Sequence, residues 1–411
     1  MRKDIFTLFR FRMLPVEIHV MLVGSLFARG AYFMVWPFLS VLLYRQFHYS
    51  ATAIGTLLSA ATICGAISGV YTGWLSDRFG RKRLILCGST LSALAFCVLG
   101  YAKEPIVFGI GITGVSIGCV ILESSCKALI GDRITDTISR ELAFYCRYYA
   151  INVGAAIGSL IGMTLGISEH GVTFFTTATI YFIYGVILWG LLSRITLANG
   201  HVKKNTLQTP GFMTVIKQMV CHRIFTLLLL CNMLAALIYA SFDSSLIQYL
   251  TRSNISGIMS TIALLVTVNS LTIIVAQFPL LSILQHHSIT VRLMFGIMLM
   301  LIAQLLFAFS PLTQFYLLVL ATVALSLGEL VVFPTFSIAV DKLTPESLRG
   351  SYYGAANIYM LGTALAPIYG GLILDRCNPE VLFLSLSVFC LIIILLQTVI
   401  NATNRTHNNM C

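Results

Sequence analysis

Charged residues interrupt several long apolar segments of this sequence, and their side chains are the ones best able to do chemistry. Three are carboxylates and three are cations: Glu123, Asp243, Glu329, Arg29, Lys127 and Arg147. Placing a charge near the centre of a bilayer costs at least about 2.5 kcal/mol on insertion scales, so each of them needs a partner or a hydrated cavity. Such residues indicate proton transfer or the binding of a charged ligand.

The three carboxylates are candidates for carrying a proton, because a low-dielectric environment disfavours the ionised form of such a group. Glu123 lies four residues before Lys127, which puts both on one helical face where they can form an ion pair. That pair is either purely structural or a proton site that opens when a substrate competes for Lys127. For Asp243 and Glu329 the alternative is a structural role, such as hydrogen bonding to Ser or Tyr hydroxyl groups.

The three cations could attract an anionic group on a ligand, and an Arg side chain can hold a carboxylate bidentately. They could equally neutralise the carboxylates within the protein. Aromatic residues suit an amphipathic organic ligand, because their rings supply contact area and their hydroxyl groups supply hydrogen bonds. The predicted substrate-binding residues are Arg29, Tyr32, Trp36, Lys127, Arg147, Tyr239 and Tyr359.

The elements that position these residues are helices long enough to cross a membrane. The chain has 411 residues, of which 58% are hydrophobic and only 10% charged, whereas a soluble domain carries about 25% charged residues. The apolar residues form blocks of about twenty, the length that an α-helix needs to cross a hydrocarbon core of about 30 Å. The strand-like alternation of a transmembrane barrel is not seen. The sequence therefore predicts an all-α polytopic membrane protein.

The apolar blocks predict twelve spanning helices: 17–44, 51–75, 84–102, 106–130, 143–167, 172–194, 222–250, 257–284, 290–309, 313–340, 349–374 and 379–401. The longest polar stretch separates the sixth span from the seventh. We therefore predict a six-helix bundle over residues 1–194, a linker over 195–221 and a second six-helix bundle over 222–411. One chain supplies both bundles, so a monomer would suffice.

The formal net charge is +11, and the distribution of Lys and Arg explains it without a nucleic-acid partner. If both termini lie on one side, that side receives nineteen of the 26 Lys and Arg residues, and the opposite side receives four. Because positively charged loops remain cytoplasmic, we predict a multi-pass protein of the bacterial inner membrane with both termini in the cytoplasm.

An internal repeat relates the two predicted bundles. Arg140 follows Asp132 by eight residues, and Arg349 follows Asp341 by eight residues, so that the two copies are offset by 209. Gly118 and Gly328 are related by an offset of 210. Parallel repeats of this kind place a substrate site near the bilayer midplane, between halves that move against each other.

The loop between the second and third spans has the sequence Gly-Trp-Leu-Ser-Asp-Arg-Phe-Gly-Arg-Lys-Arg, from Gly73 to Arg83. It resembles the signature loop of the major facilitator superfamily. We expect its glycines to permit a tight turn and Asp77 to lie near the positive end of a helix in the other half. The predicted conformational latch comprises Gly73, Asp77, Arg78, Gly80, Arg81, Lys82 and Arg140. The alternative is a basic loop that only determines topology.

Segments 29–39, 147–158 and 239–245 resemble the 12-helix drug/proton antiporter branch of this superfamily. Two features depart from that branch. The fourth span has Glu123 and Lys127 where an Arg-containing motif is usual, and the fifth span lacks the usual Gly-Pro pair. Its glycines recur every fourth residue instead, which predicts close packing against another helix.

The resemblance implies the major facilitator fold, with two pseudo-symmetric bundles and alternating access. It favours a proton-coupled exporter of small amphipathic or anionic organic compounds. The alternatives are a dedicated exporter of one metabolite, such as a polycarboxylate siderophore or a sugar, and a non-transporting membrane receptor. The sequence contains no catalytic constellation, no phosphate-binding loop and no cysteine spacing typical of a metal site. We therefore predict no enzymatic activity, cofactor or metal.

Overall fold

The computed structural model describes residues 4–36, 39, 42–43, 47–49, 51–165, 170–198, 210–252, 258–311 and 314–408. Regular structure in these residues is helical throughout. The helices up to the linker are α1 (Leu8–Arg12), α2 (Val16–Val35), α3 (Ala51–Phe79), α4 (Arg81–Tyr101), α5 (Pro105–Arg133), α6 (Thr137–Leu165), α7 (His170–Ala198) and α8 (Phe212–Cys221).

The helices after the linker are α9 (Arg223–Ser241), α10 (Ile247–Arg252), α11 (Ile258–Leu284), α12 (Ile289–Phe309), α13 (Phe315–Leu343), α14 (Arg349–Ala356), α15 (Tyr359–Arg376) and α16 (Pro379–Asn408). A π-helical turn, Phe242–Leu246, joins α9 to α10, and a 3₁₀ turn, Glu346–Leu348, precedes α14.

The predicted all-α polytopic fold is confirmed. Eleven helical segments of the described chain are long and apolar enough to cross a membrane, and they cover every predicted span except 143–167. That span lies within α6, which packs along α2. The predicted first span extends to residue 44, but α2 ends at Val35, and residues 37–38, 40–41 and 44–46 lie outside the described part.

The predicted span 349–374 is not one continuous helix. Helix α14 ends at Ala356, where the backbone N–H of Asn357 bonds to the Gly354 carbonyl and that of Ile358 to the Ala355 carbonyl, three residues back. An α-helix bonds each N–H to the carbonyl four residues back, so these two bonds end α14. Helix α15 then begins at Tyr359. The short helix α14 is thereby separated from α15.

The chain divides into two compact units. The first unit contains Thr7–Met219 together with Asp341–Ile358, and the second contains Met1–Phe6, Val220–Val340 and Tyr359–Cys411. The predicted bundles, residues 1–194 and 222–411, are each continuous in sequence, and their boundaries stay a prediction. Helix α14 comes from the second half of the sequence, yet it packs within the first unit against α3 and α5.

Glycines allow the helices of the first unit to approach closely. An added Cβ at Gly154 would overlap the Leu26 carbonyl oxygen, and one at Gly158 would overlap the Gly30 carbonyl oxygen. Two of the glycines that recur every fourth residue in the predicted fifth span therefore face α2. Helix–helix contacts of this kind depend on small residues, because only they let two backbones meet.

The related glycines of the repeat occupy equivalent contacts. In the first unit, an added Cβ at Gly118 of α5 would lie 2.9 Å from the Gly88 carbonyl oxygen of α4. In the second unit, an added Cβ at Gly328 of α13 would lie 2.8 Å from the Gly296 carbonyl oxygen of α12. The two halves of the sequence thus share a helix-packing contact as well as a motif.

Candidate functional site

The connection between α3 and α4 consists of one glycine. Gly80 has φ 89° and ψ 149°, a backbone conformation that is essentially restricted to glycine. The expectation that Gly73 also serves the turn is wrong, because Gly73 lies inside α3. Its role is packing: an added Cβ there would lie 2.8 Å from Gly354 Cα and would overlap the Gly350 carbonyl oxygen.

Asp77, in the last turns of α3, binds the start of α14. Its carboxylate accepts hydrogen bonds from the backbone N–H groups of Gly350 and Ser351, each at 2.7 Å, and from the Ser351 hydroxyl group at 2.6 Å. The first N–H groups of a helix have no partners within the helix and carry partial positive charge. The structure thus places Asp77 at the positive end of a helix from the second half of the sequence.

Arg81 joins Asp77 to a second carboxylate. Its guanidinium lies 2.6 Å from Asp77 Oδ1 and 2.8 Å from Asp132 Oδ2. Arg349, the first residue of α14, also contacts Asp132, at 3.2 Å from Oδ1. These groups are largely buried, so their charges interact more strongly than they would in water.

Arg140 and Asp341 form the other ion pair of the repeat. Arg140 Nη1 donates to Asp341 Oδ2 at 2.8 Å, and the Tyr353 hydroxyl group donates to Asp341 Oδ1 at 3.0 Å. Each Arg of the repeated motif therefore pairs with the Asp of the other copy. We name the set Asp77, Arg81, Asp132, Arg140, Asp341 and Arg349 the ion-pair network.

Asp136 determines where the helix that carries Arg140 begins. Its carboxylate accepts hydrogen bonds from the Ser139 hydroxyl group at 2.6 Å and the Ser139 N–H at 3.0 Å. These bonds, chiefly that of the hydroxyl group, hold the pKa of Asp136 below its ordinary value. A side-chain acceptor at this position caps the first turn of a helix. Helix α6 therefore starts at Thr137, one turn before Arg140.

Two residues of the predicted latch contact aromatic rings instead of carboxylates. The Arg78 guanidinium lies 5.4 Å from the centre of the Trp74 ring, and the Lys82 ammonium lies 5.7 Å from that of Trp189. Trp74 also donates through Nε1 to the Pro210 carbonyl oxygen at 3.0 Å. In this structure Arg78 and Lys82 therefore lie outside the ion-pair network.

The charged residues inside α5 and α6 form a second group. Lys127 Nζ lies 2.9 Å from Glu123 Oε1, the pair that their spacing predicts, and Arg147 Nη1 of α6 lies 3.8 Å from the same oxygen. Lys127 and Arg147 are each only 8% exposed. One carboxylate thus has two buried cations beside it.

Arg29 of α2 adds a third cation and an aromatic surface. Its guanidinium lies 4.7 Å from the centre of the Phe33 ring and 5.1 Å from that of Tyr32. Trp36 stacks on Tyr32, with ring centres 4.8 Å apart and ring planes 21° apart. Arg29 also acts electrostatically on Glu123.

We name Arg29, Glu123, Lys127 and Arg147 the cationic cluster. Three positive charges and one negative charge leave it with a net charge of +2. A net positive charge attracts an anionic group, and an Arg side chain can hold a carboxylate bidentately. The cluster can therefore bind an anionic ligand, with the aromatic rings on α2 next to it.

The remaining predicted site residues lie in the second unit. Asp243 belongs to the π-helical turn and is exposed, and it has no hydrogen bond or ion pair within the described residues. Glu329 of α13 is buried and accepts a hydrogen bond from Asn269 Nδ2 at 3.3 Å. Tyr239 packs edge-on against Phe333, with ring centres 5.7 Å apart. Tyr359 begins α15 and is half-buried.

Several residues in these groups were not predicted as site residues. Asp132, Asp341 and Arg349 belong to the repeated motif, which was the signal that could have identified them. Phe33 is next to Tyr32 in the same aromatic segment, and that position was its signal. Asn269 has no such signal, because an isolated Asn in an apolar helix is usually a packing residue. No group of three potential metal ligands of the His, Cys, Asp or Glu type occurs among the described residues.

Apolar helices of membrane-spanning length, a sequence repeat between two halves and charges buried within the spans define a polytopic membrane transport protein. The family model of the Major Facilitator Superfamily matches residues 21–361, and again residues 260–408. The chain therefore belongs to the Major Facilitator Superfamily, a family of transporters that move small molecules across the lipid bilayer.

Relatives match most of the chain. The MFS-type transporter YqjV of Bacillus subtilis is 28% identical over 86% of this chain and 85% of its own length. A Na⁺, Li⁺, K⁺/H⁺ antiporter of Planococcus maritimus is 25% identical over 86% of this chain and 88% of its own. The crystal structure of the human organic anion transporter MFSD10 shares the fold, with a TM-score of 0.72, 15% identity and coverage of 93% of this chain and 100% of that one.

Proposed function

We propose that this protein is a proton-coupled secondary transporter that exports small organic anions, including amphipathic ones. The observation that carries the proposal is the cationic cluster, whose charge of +2 remains after Glu123 is counted. An anionic substrate is opposite in charge to this cluster, whereas a neutral sugar has no charge to pair with it. A dedicated exporter of one polycarboxylate metabolite fits the same charge and is the second candidate.

In the proposed site, Glu123 occupies the position that a substrate carboxylate would take. Without substrate, Glu123 partly neutralises Lys127 and Arg147, at 2.9 Å and 3.8 Å. Removing one partner of a buried ion pair costs about 3–5 kcal/mol. A substrate anion competes with Glu123 for the same donors, and an Arg can hold it bidentately.

The aromatic residues of α2 would bind the apolar part of such a ligand. Tyr32 and Trp36 stack on each other, and the Arg29 guanidinium lies over the rings of Tyr32 and Phe33. A stacked pair offers a flat apolar surface next to a positive charge. In the second unit, Tyr239 and Tyr359 stay candidates for contacts with the substrate.

Of the three candidate proton carriers, we assign the role to Asp243. Glu123 is engaged by two cations, and Glu329 accepts a hydrogen bond from Asn269. Asp243 has neither kind of partner in the described chain and belongs to a π-helical turn, a feature frequent at functional sites. The relative from Planococcus maritimus is named as an antiporter that exchanges cations for protons, which supports proton coupling in this chain.

The ion-pair network would act as the conformational latch. It holds α14 against α3 in one state, and alternating access requires these bonds to break in the other. By the distribution of Lys and Arg, we place the latch and both termini in the cytoplasm and the protein in the bacterial inner membrane. A monomer would complete the transport cycle.

The test is flux in proteoliposomes that contain a pH-sensitive dye. Wild type, Arg147→Gln and Asp243→Asn are compared with a tricarboxylate, a monocarboxylate with an aromatic ring, a sugar and a cationic drug. We expect only the anions to move protons. Asp243→Asn should abolish the proton signal, and Arg147→Gln should weaken the response to the anions.

Two outcomes would contradict the proposal. Proton flux with the sugar or the cationic drug, and none with either anion, would exclude an anionic cargo. Saturable binding of an anion without any flux would favour a receptor. As the matched control, Asp375→Asn removes an exposed carboxylate near the end of α15 and should transport like wild type.

A further inference from the structure

One apolar face of α12 stays exposed in the described part of the chain. Ile302, Leu305 and Phe309 recur at the spacing of one helical face, and they are 44%, 38% and 67% exposed. The opposite face of the helix is buried, at Met300, Ala303, Gln304 and Phe307. Because α12 is long and apolar enough to cross a membrane, its exposed face meets the acyl chains of the bilayer.

This face borders a cavity between the end of α12 and the start of α13, in the second unit. Its volume is about 300 Å³, and it is lined by Ile302, Leu305, Leu306, Phe309, Ser310 and Leu317. The backbones of α12 and α13 come close at Gly296 and Gly328, and the cavity lies beyond that contact, near the connection between the two helices. Small-molecule sites have volumes of about 300–1,000 Å³, so the cavity is large enough for a ligand.

Ser310 supplies the polar side chain of the lining. It follows the last residue of α12 and is 6% exposed. Its hydroxyl oxygen has no hydrogen-bond partner among the described residues, whereas the Ser326 hydroxyl group of α13 donates to its own helix, to the Thr322 carbonyl oxygen at 2.7 Å. A buried hydroxyl group without a partner is destabilising. A ligand in the cavity that accepts a hydrogen bond would therefore be stabilised by Ser310.

The length of α12 indicates the depth of Ser310 in the membrane. The helix has 21 residues, which at 1.5 Å per residue span about 30 Å, the thickness of the hydrocarbon core. Ser310 directly follows the helix and so lies at the boundary of that core. The nearby Tyr316 is 65% exposed, as is common for aromatic residues at the membrane interface. The ester groups of phospholipids lie at this same boundary, where their acyl chains begin.

We infer that this cavity binds one acyl chain of a phospholipid, whose ester carbonyl oxygen accepts a hydrogen bond from Ser310. The lining contains no charged side chain, so it suits an apolar chain with one acceptor at its end. One wall is exposed to the bilayer, which supplies such chains at high concentration. The site uses none of the residues assigned to substrate binding, proton transfer or the latch, so it does not rest on the proposed function.

The test is thermal unfolding of the delipidated full-length protein in detergent. Dioleoyl phosphatidylethanolamine, a diester, is compared with its diether analogue, which has the same chains and headgroup but lacks the ester carbonyl groups. A ligand that binds only the folded state raises the unfolding midpoint in a saturable manner. We expect the diester to reach half-saturation at a concentration about two- to tenfold lower than the diether, because one hydrogen bond is added.

Variants locate this preference for the diester. Ser310→Ala removes the donor, and Leu306→Trp fills the cavity, so both should bind the two lipids equally. The matched controls are Ser387→Ala and Leu395→Trp, which should keep the preference of wild type. Ser387 is a buried serine of the same unit that donates to the Phe383 carbonyl oxygen in its own helix. Leu395 of α16 is 64% exposed and lies outside the cavity lining.

Equal half-saturation by the two lipids in wild type would overturn the inference, as would a diester preference that survives in Ser310→Ala or Leu306→Trp. A lipid-free dimer whose midpoint neither lipid raises would show that a second copy of the chain covers this face instead. Failure of anion flux would affect only the proposed function, because this assay contains no anionic substrate.

Discussion

Arg140 donates a hydrogen bond of 2.8 Å to Asp341, although 201 residues separate them. The reciprocal pair, Arg349 and Asp132, is 3.2 Å apart. The two copies of the repeated motif therefore pair with each other, and the Arg of each copy binds the Asp of the other. These two pairs join α5 and α6 to the segment Asp341–Ile358, which contains α14.

The Arg140–Asp341 pair should contribute strongly to stability. The Arg140 side chain is 13% exposed and that of Asp341 is 6% exposed, and removing one partner of a buried pair costs about 3–5 kcal/mol. We expect Arg140→Gln to lower the free energy of unfolding by about 3 kcal/mol, since Tyr353 still bonds to Asp341. Reversible denaturation in mixed micelles measures it.

Arg10→Gln is the matched control for that prediction. It breaks a pair with Asp136, whose side chain is 51% exposed, and such pairs contribute less than about 1 kcal/mol. Equal losses in the two variants would show that the crosswise pair has no special stability. Adding Asp341→Asn to Arg140→Gln should recover part of the loss, because the buried carboxylate that has lost its cation is then removed.

Gly73→Ala should separate α14 from α3. The added methyl group would overlap the Gly350 carbonyl oxygen, and overpacking typically costs about 1–3 kcal/mol. Gly55→Ala, in the same helix, meets nothing within 4 Å and should stabilise by about 0.5–1 kcal/mol. The unfolding midpoints of the two variants should therefore move in opposite directions, and a shift of both in the same direction would contradict the packing role.

Gly80→Ala tests the turn itself. At φ 89° and ψ 149° a side chain strains the backbone by about 1–3 kcal/mol, although no other atom lies within 4 Å of the added Cβ. We expect a lower free energy of unfolding, caused by strain in the local backbone and not by overlap with another residue. A Gly80→Ala variant as stable as wild type would mean that the turn adopts another conformation in solution.

The cationic cluster predicts that two substitutions change the KM for an anionic substrate in opposite directions. If Glu123 competes with the substrate, Glu123→Gln should lower the KM for an anionic substrate, whereas Arg147→Gln should raise it. Loss of one hydrogen bond to a charged group corresponds to about tenfold or more. Initial rates in proteoliposomes measure both. A rise in KM for Glu123→Gln would show that Glu123 orients the cations instead of competing with the substrate.

Much of this architecture follows from the sequence alone. Apolar blocks of about twenty residues predict spanning helices, because a bilayer leaves a helix as the way to satisfy every backbone group within one segment. The four-residue spacing of Glu123 and Lys127 predicts their pair, and the 2.9 Å contact matches it. Both arguments depend only on neighbours along the chain.

Tertiary structure decided the partners of Asp77, Arg140 and Asn269. Each bonds to a residue on another helix, and the registers of those helices depend on where their backbones can touch. The backbones of α3 and α14 touch at Gly73 and Gly350. The sequence does not distinguish these glycines from one such as Gly55, which has nothing within 4 Å. Hydropathy specifies that a helix is buried in the membrane, but the position of a packing contact depends on the shapes of both surfaces. Only the folded chain brings those surfaces together.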